Sequence, residues 1–152
     1  MQCPVCHTDQ LIVEFHGVEL DMCLEGCGTW FDADELRQLF EVAGAPELLH
    51  DLESRLEALP VAAEGPLRRC PRCHGKMPHV QAPGASGHVI LDRCRRGHGL
   101  WFDPGELEEI LALEMPAEDT SGEGALNRPL AKIREFLGQF VSGGGASEEP
   151  PA

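Results

Sequence analysis

Seven cysteines and one histidine of this 152-residue chain fall into two sets of four. Cys3-Pro-Val-Cys6 leads to Cys23-Leu-Glu-Gly-Cys27, and Cys70-Pro-Arg-Cys73 leads to Cys94-Arg-Arg-Gly-His98. Tetrahedral zinc is held by thiolate sulfur and imidazole nitrogen, usually from two short paired motifs that each form a tight knuckle. The spacing therefore predicts a four-cysteine site from Cys3, Cys6, Cys23 and Cys27, and a site of three cysteines and one histidine from Cys70, Cys73, Cys94 and His98. All thiols are consumed and His98 supplies the eighth ligand, so the odd cysteine count is accounted for and two Zn²⁺ per chain are expected.

Other cysteine chemistries fit less well. Cys-x-x-Cys-His, present at His7 and His74, is also the attachment motif of c-type haem, but that reading leaves Cys23, Cys27, Cys94 and His98 without a role. The chain opens on Met1-Gln-Cys3 with no apolar export run ahead of it, which argues against haem attachment and for a cytoplasmic protein. A thioredoxin-like pair needs a strand-and-helix domain that these short, Gly-rich surroundings do not supply. A disulfide framework suits neither an odd thiol count nor the missing secretion signal. His7 and His74 are read as knuckle-surface residues. A site saturated by four ligands leaves no position for an activated water, so no enzyme is expected.

The elements that must carry these ligands are written twice. From Cys23 and Cys94 onward the copies run in register at an offset of 71 residues, through Trp30-Phe31-Asp32 and Trp101-Phe102-Asp103, which marks a duplicated unit. Between the first copy's knuckles, residues 11–15 and 18–22 flank His16-Gly17 as a short β-hairpin. In the second copy the hairpin is expected from 77–82 and 88–93, with 83–87 as a longer turn, and His16, His79 and His88 as solvent-side residues. Asp32 and Asp103 stand at helix N-cap positions with Glu35 and Glu106 three residues later, a capping-box arrangement, and Pro104 suits the first helical position. Trp30, Phe31, Trp101 and Phe102 are read as an aromatic floor between hairpin and helix, with one of each pair exposed enough for contact.

Leu36, Leu39 and Phe40 continue the first helix until 43–46 breaks it, and Leu48, Leu49, Leu52, Leu56 and Leu59 mark a second amphipathic segment. Leu107, Ile110, Leu111 and Leu113 mark the helix of the second copy. Leu126, Leu130, Ile133, Leu137, Phe140 and Val141 form the apolar stripe of a last helix, expected to pack on a zinc module or the 47–59 segment, or to serve dimerisation or partner binding. The organisation is a small metal-stabilised α+β fold. It comprises a first module over 1–59, a linker over 60–67, a second module over 68–115, a linker over 116–125, a helix over 126–141 and a flexible tail over 142–152. With 5% aromatic residues each core is thin, and zinc would supply on the order of 10 kcal/mol per site. No run approaches the length of a membrane span.

The net charge of −14 is unevenly spread. Residues 1–60 hold 2 basic and 13 acidic side chains, residues 61–115 hold 7 of each, and the remainder 3 and 6. Bulk nucleic acid should be repelled. The second copy's knuckles are nevertheless crowded by Arg68, Arg69, Arg72, Lys76, Arg93, Arg95 and Arg96. These either screen a thiolate-rich site or meet an anionic partner, which could be the acidic first copy itself. Docking driven by charge would loosen as salt rises.

With the two knuckle pairs, hairpins and Trp-Phe-Asp-x-x-Glu-Leu tails in place, the chain resembles the transcription factor IIB-type zinc-finger family over residues 3–40 and 70–111. The resemblance implies a tandem zinc-ribbon fold and carries zinc-ligand roles to Cys3, Cys6, Cys23, Cys70, Cys73 and Cys94. The fourth ligands depart from the family's usual two-residue spacing, with Gly26 and Gly97 placed to absorb the longer turn before Cys27 and His98. The leading expectation is a protein-interaction adaptor or regulator. The alternatives are a nucleic-acid-binding transcription regulator using the basic second ribbon, and a thiol redox sensor or zinc-transfer protein. Candidate anion or partner contacts are Arg72, Lys76, Arg93, Arg95, Arg96, Trp30 and Trp101.

Overall fold

The alternating apolar residues between the first knuckles close into a hairpin of β1 (Gln10–Phe15) and β2 (Val18–Cys23), turning at His16 and Gly17. Both turn residues have positive φ, 48° and 83°, the conformation of a two-residue turn that matches strand twist. These coordinates are a computed structural model, and they describe residues 1–42, 46–59 and 66–114. The second knuckle leads into β3 (Thr29–Asp32), which runs straight into α1 (Ala33–Val42). A second helix, α2 (Pro46–Arg55), packs on α1.

The second copy repeats this plan as β5 (His79–Gly84), β6 (Gly87–Arg93), β7 (Gly99–Phe102) and α3 (Glu106–Glu114). Its hairpin turns at Ala85 and Ser86 alone, not across 83–87 as expected. Pro83 and Gly84 pair with His88 and Gly87, so the four extra residues add two cross-strand pairs at the hairpin tip. The longer tip reaches α3, where Ala85 N–H donates to the Glu109 carbonyl at 3.0 Å and Ser86 Oγ to the Glu109 carboxylate at 2.7 Å.

Three further expectations are corrected. The amphipathic run after α1 stops being helical at Arg55, and Glu57–Ala58 form a short strand, β4, on the outer edge of β5. Pro104 is not the first helical residue: Gly105 has φ of 88°, outside helical space, and delays α3 to Glu106. His79 is buried, not solvent-side, with Nε2 3.2 Å from a carboxylate oxygen of buried Asp92. Leu113 and residues 60–65 and 115–152, which include the expected last helix, the second linker and the tail, lie outside the described side chains or residues.

The two ribbons join edge to edge. β3 pairs antiparallel with β7 in the register Thr29↔Phe102, Trp30↔Trp101, Phe31↔Leu100 and Asp32↔Gly99. This gives one seven-stranded sheet in the order β1-β2-β3-β7-β6-β5-β4. Trp30 and Trp101 are each other's counterparts at the 71-residue offset, so the pairing sets them across a pseudo-two-fold axis, the arrangement of an isologous interface within one chain. Phe31 and Phe102, also counterparts, meet edge to face at 5.3 Å.

Close approach here requires glycine. A Cβ on Gly28 would strike the Phe102 carbonyl and the Trp101 ring, and one on Gly99 would strike the Phe31 carbonyl. Ala33 N–H then donates to the carbonyl of the ligand residue His98 at 3.0 Å, tying the start of α1 to the other ribbon's knuckle. The mirrored bond cannot form, because the counterpart of Ala33 is Pro104.

Side chains alternate across the sheet and build a layer on each face. Val18, Leu20, Val80, Leu91 and Phe102 face the helices, where Leu36, Leu39, Phe40, Leu52, Leu107, Ile110 and Leu111 complete one core shared by both copies. On the other face Trp30, Trp101 and Met77 pack with ligand cysteines of both copies. Trp30 and Trp101 are 0% exposed, which overturns their role as candidate contacts: the floor has been built into the junction. No helix among the described residues is long and apolar enough to cross a membrane.

The self-docking expectation is met in outcome but not in cause. The junction consists of backbone pairing and buried aromatics, with Arg72 to Asp32 as the cross-ribbon ion pair among the described residues. X-ray scattering should therefore give the same radius of gyration at low and high salt. Gly28→Ala should cost about 2 kcal/mol or more in denaturant unfolding, because the junction carbonyl has nowhere to move.

Candidate metal centres

Each ligand set is assembled by two turns of similar design. In the first knuckle of each copy the second ligand is followed by a histidine in the left-handed region, His7 at φ 64° and His74 at φ 60°. Cys3 N–H donates to the Thr8 carbonyl and Cys70 N–H to the Gly75 carbonyl, both at 2.8 Å, closing the loop around the sulfurs. His7 and His74 are exposed and stand outside the ligand clusters, as read from the sequence.

In the second knuckle, Gly26 and Gly97 both take φ of 75°, and their N–H groups donate to the carbonyls of Cys23 and Cys94 at 3.1 Å. A left-handed residue here is what lets three residues, instead of two, separate the paired ligands. Glycine takes that conformation without the steric cost of a Cβ.

The donor atoms of Cys3, Cys6, Cys23 and Cys27 all lie within 4.8 Å of one another, and so do those of Cys70, Cys73, Cys94 and His98. Cys6 Sγ is 3.4 Å from Cys23 Sγ, Cys73 Sγ is 3.7 Å from Cys94 Sγ, and His98 presents Nδ1 at 3.4 Å from Cys94 Sγ. Zinc–sulfur bonds of about 2.3 Å in a tetrahedron put neighbouring sulfurs about 3.8 Å apart. None of the seven cysteines is in a disulfide. The donor sets and their spacing fit two zinc ions.

The family model for transcription factor zinc-fingers, of the TFIIB zinc-ribbon type, matches the chain over residues 2–42 and 69–113. The chain belongs to this family. Neither a curated protein nor a solved structure matches it. It is a tandem zinc ribbon, and the two matched segments coincide with the two ligand clusters.

Thiol environments within each ribbon are unequal. The Thr8 hydroxyl, 2.9 Å from Cys6 Sγ, draws the Cys6 thiol down to about 6, and the Gly75 backbone does the same for Cys73. Burial pushes Cys3 and Cys27 upward and Cys70 up to about 11. Cys6 and Cys73 thus give up their protons more readily than Cys3, Cys27 and Cys70, whose ionisation a bound metal would favour.

Beneath each centre lies a polar network that the ligand spacing did not reveal. Trp30 Nε1–H donates to Asp32 Oδ1 and Trp101 Nε1–H to Asp103 Oδ1, each at 3.0 Å. The expected caps are therefore only half as drawn. Glu35 and Glu106 accept from the backbone N–H groups of Asp32 and Asp103, at 2.9 and 2.8 Å, but the aspartate carboxylates serve the indoles.

Arg72 grips Asp32 through two nitrogens at 2.5 and 2.8 Å. Arg68 bridges Asp103 at 2.6 Å and Asp92 at 3.0 Å. Two members of the basic cluster are thereby committed to these carboxylates, while Lys76, Arg93, Arg95 and Arg96 are exposed. Asp21, Asp32 and Glu35 also draw together, but Asp32 is already held by Trp30 and Arg72.

Replacing either fourth ligand, as Cys27→Ser or His98→Ala, should lower zinc content from two to one per chain by elemental analysis. The remaining ion should leave at a lower chelator concentration, because the shared sheet couples the sites.

Burial pushes Glu35 and Glu106 up to about 7, with neighbouring aspartates adding to the effect. An unfolded glutamate titrates near 4.3, so the folded chain holds extra protons between roughly pH 4.3 and 7, and stability falls as pH rises through that window. Glu106→Gln keeps an acceptor oxygen and removes the charge. It should stabilise the zinc-loaded chain by on the order of 1 kcal/mol at pH 8, with the gain shrinking toward pH 5, as read by thermal unfolding.

Proposed function

We propose that the tandem ribbon is a non-enzymatic adaptor that uses its two knuckle ends as different contact surfaces for protein partners. The observation that carries this is a systematic exchange of side chains on one duplicated scaffold. In the hairpin's first half counterparts lie 67 residues apart, as Cys3 and Cys70 do, and from Cys23 onward 71 apart. On that correspondence the basic residues around the second ribbon's knuckles replace apolar, amide or acidic ones in the first. Arg72 stands for Val5, Lys76 for Asp9, Arg95 for Leu24 and Arg96 for Glu25.

Val5 and Leu24 are 41% and 67% exposed on the turns between paired ligands of the first ribbon. Large exposed apolar side chains on metal-rigidified turns supply contact area at little entropic cost. Both centres have four protein ligands, which supports a structural role for the metal.

A second reading is favoured by the groove beside Cys73 and Cys94, walled by Lys76, Arg95 and Arg96, which suits a phosphate backbone. Affinity capture with the full chain separates the two. The adaptor reading expects protein partners that Val5→Asp with Leu24→Asp abolishes at unchanged zinc content, and no gel shift with DNA or RNA at low salt. A salt-dependent shift lost on charge reversal at Arg93, Arg95 and Arg96 would transfer the function to nucleic-acid binding.

A further inference from the structure

The pseudo-two-fold axis relates nearly every described element to a counterpart, but it leaves α2 and β4 without one. After α1 the chain continues through α2, whose Leu49 and Leu52 pack on the core together with Leu56 just beyond it, and then through β4, which pairs with the outer edge of β5. The same rotation would carry the chain on from α3 across the outer edge of β1. There the sheet ends among the described residues.

The effect on burial is direct. Ile12 on β1 is 62% exposed, whereas its counterpart His79 beside β4 is 9% exposed. Val13 is partly buried, whereas its counterpart Val80 is 4% exposed. Leu11, on the same face as the core-lining Met22, is 48% exposed. Matching grooves flank the junction. One, beside Phe31, Leu36 and Gly99, is walled by Leu49 of α2 and by Leu56 just after it, while its counterpart beside Phe102, Leu107 and Gly28 has no such wall among the described residues.

We propose that the segment 126–141 of the same chain covers the β1 edge and the groove beside α3, taking the place that α2 and β4 hold on the other side. This segment lies outside the described residues, and three properties of its sequence fit it to that site. Its apolar stripe of Leu126, Leu130, Ile133, Leu137 and Phe140 is the complement an exposed apolar edge needs. It carries Arg128, Lys132 and Arg134 against one acid, Glu135, while residues 1–36 contain no lysine or arginine at all. Exposed Glu14 and Glu19 lie on the β1–β2 hairpin. The eleven residues between Glu114 and Leu126 span up to roughly 36 Å when extended, enough to cross the sheet from the end of α3.

Lys132 and Lys76 are the chain's two lysines, so a zero-length carbodiimide cross-link reports the segment's position in the full zinc-loaded chain. The expected product joins Lys132 to Glu14 or Glu19 within one chain. It should disappear in Leu130→Asp with Ile133→Asp, a variant that should keep two zinc ions. Amide hydrogen exchange across residues 10–15 should rise at least tenfold in that variant, with exchange across β5 unchanged. Cross-links from Lys132 to the second ribbon alone, or unchanged exchange at β1, would overturn the proposal. So would Lys132–Glu14 links that form only between isotopically heavy and light chains, because the occupant would then be a second copy.

Discussion

The antiparallel pairing of β3 with β7 is the interaction on which the rest of this molecule depends. A single zinc ribbon presents a short third strand with one open edge and one large aromatic residue on each face, too little to bury by itself. Here each ribbon supplies the other's missing neighbour. The Trp30–Trp101 pair closes the metal-bearing face, the Phe31–Phe102 contact closes the helical face, and His98 lends a carbonyl to the first turn of α1. Zinc fixes each knuckle, and the junction turns two knuckle pairs into one sheet with one continuous core.

Polar groups follow the same logic. A buried indole N–H needs an acceptor, and in each ribbon the aspartate two residues on provides it. That aspartate then needs a cation, and both cations come from the first knuckle of the second ribbon: Arg68 for its own Asp103 and Arg72 for Asp32 across the junction. The positive charge near the second centre is thus partly structural. What remains exposed, at Lys76, Arg93, Arg95 and Arg96, is the part that distinguishes the two ends of an otherwise repeated scaffold.

The ligands, hairpins and helices were legible because each obeys a local rule: paired cysteines, alternation around a turn, and apolar spacing after a Trp-Phe-Asp. The glycines before Cys27 and His98 were legible too, since their place in the turn demanded positive φ. What could not be read was anything set by the partner copy. Gly-x-Trp-Phe recurs in both copies, the self-complementary repeat that a two-fold strand pairing needs, yet nothing local separates an aromatic floor from an interface. His79 looked solvent-side because its burial comes with Asp92 across the ladder and with β4 alongside, neither of them its sequence neighbour. The second hairpin's turn was misplaced because Pro83 and Gly84 signal a loop, while pairing with Gly87 and His88 extends the strands.

Both tryptophans sit in the junction, so their fluorescence reports its opening while a chromophoric chelator reports release of zinc. Followed together through a denaturant titration of the full zinc-loaded chain, the two signals should change in one coincident transition, because each ribbon's third strand depends on the other's for its outer neighbour. A fluorescence change completed at lower denaturant than zinc release would show intact ribbons parting from one another, and would contradict the account.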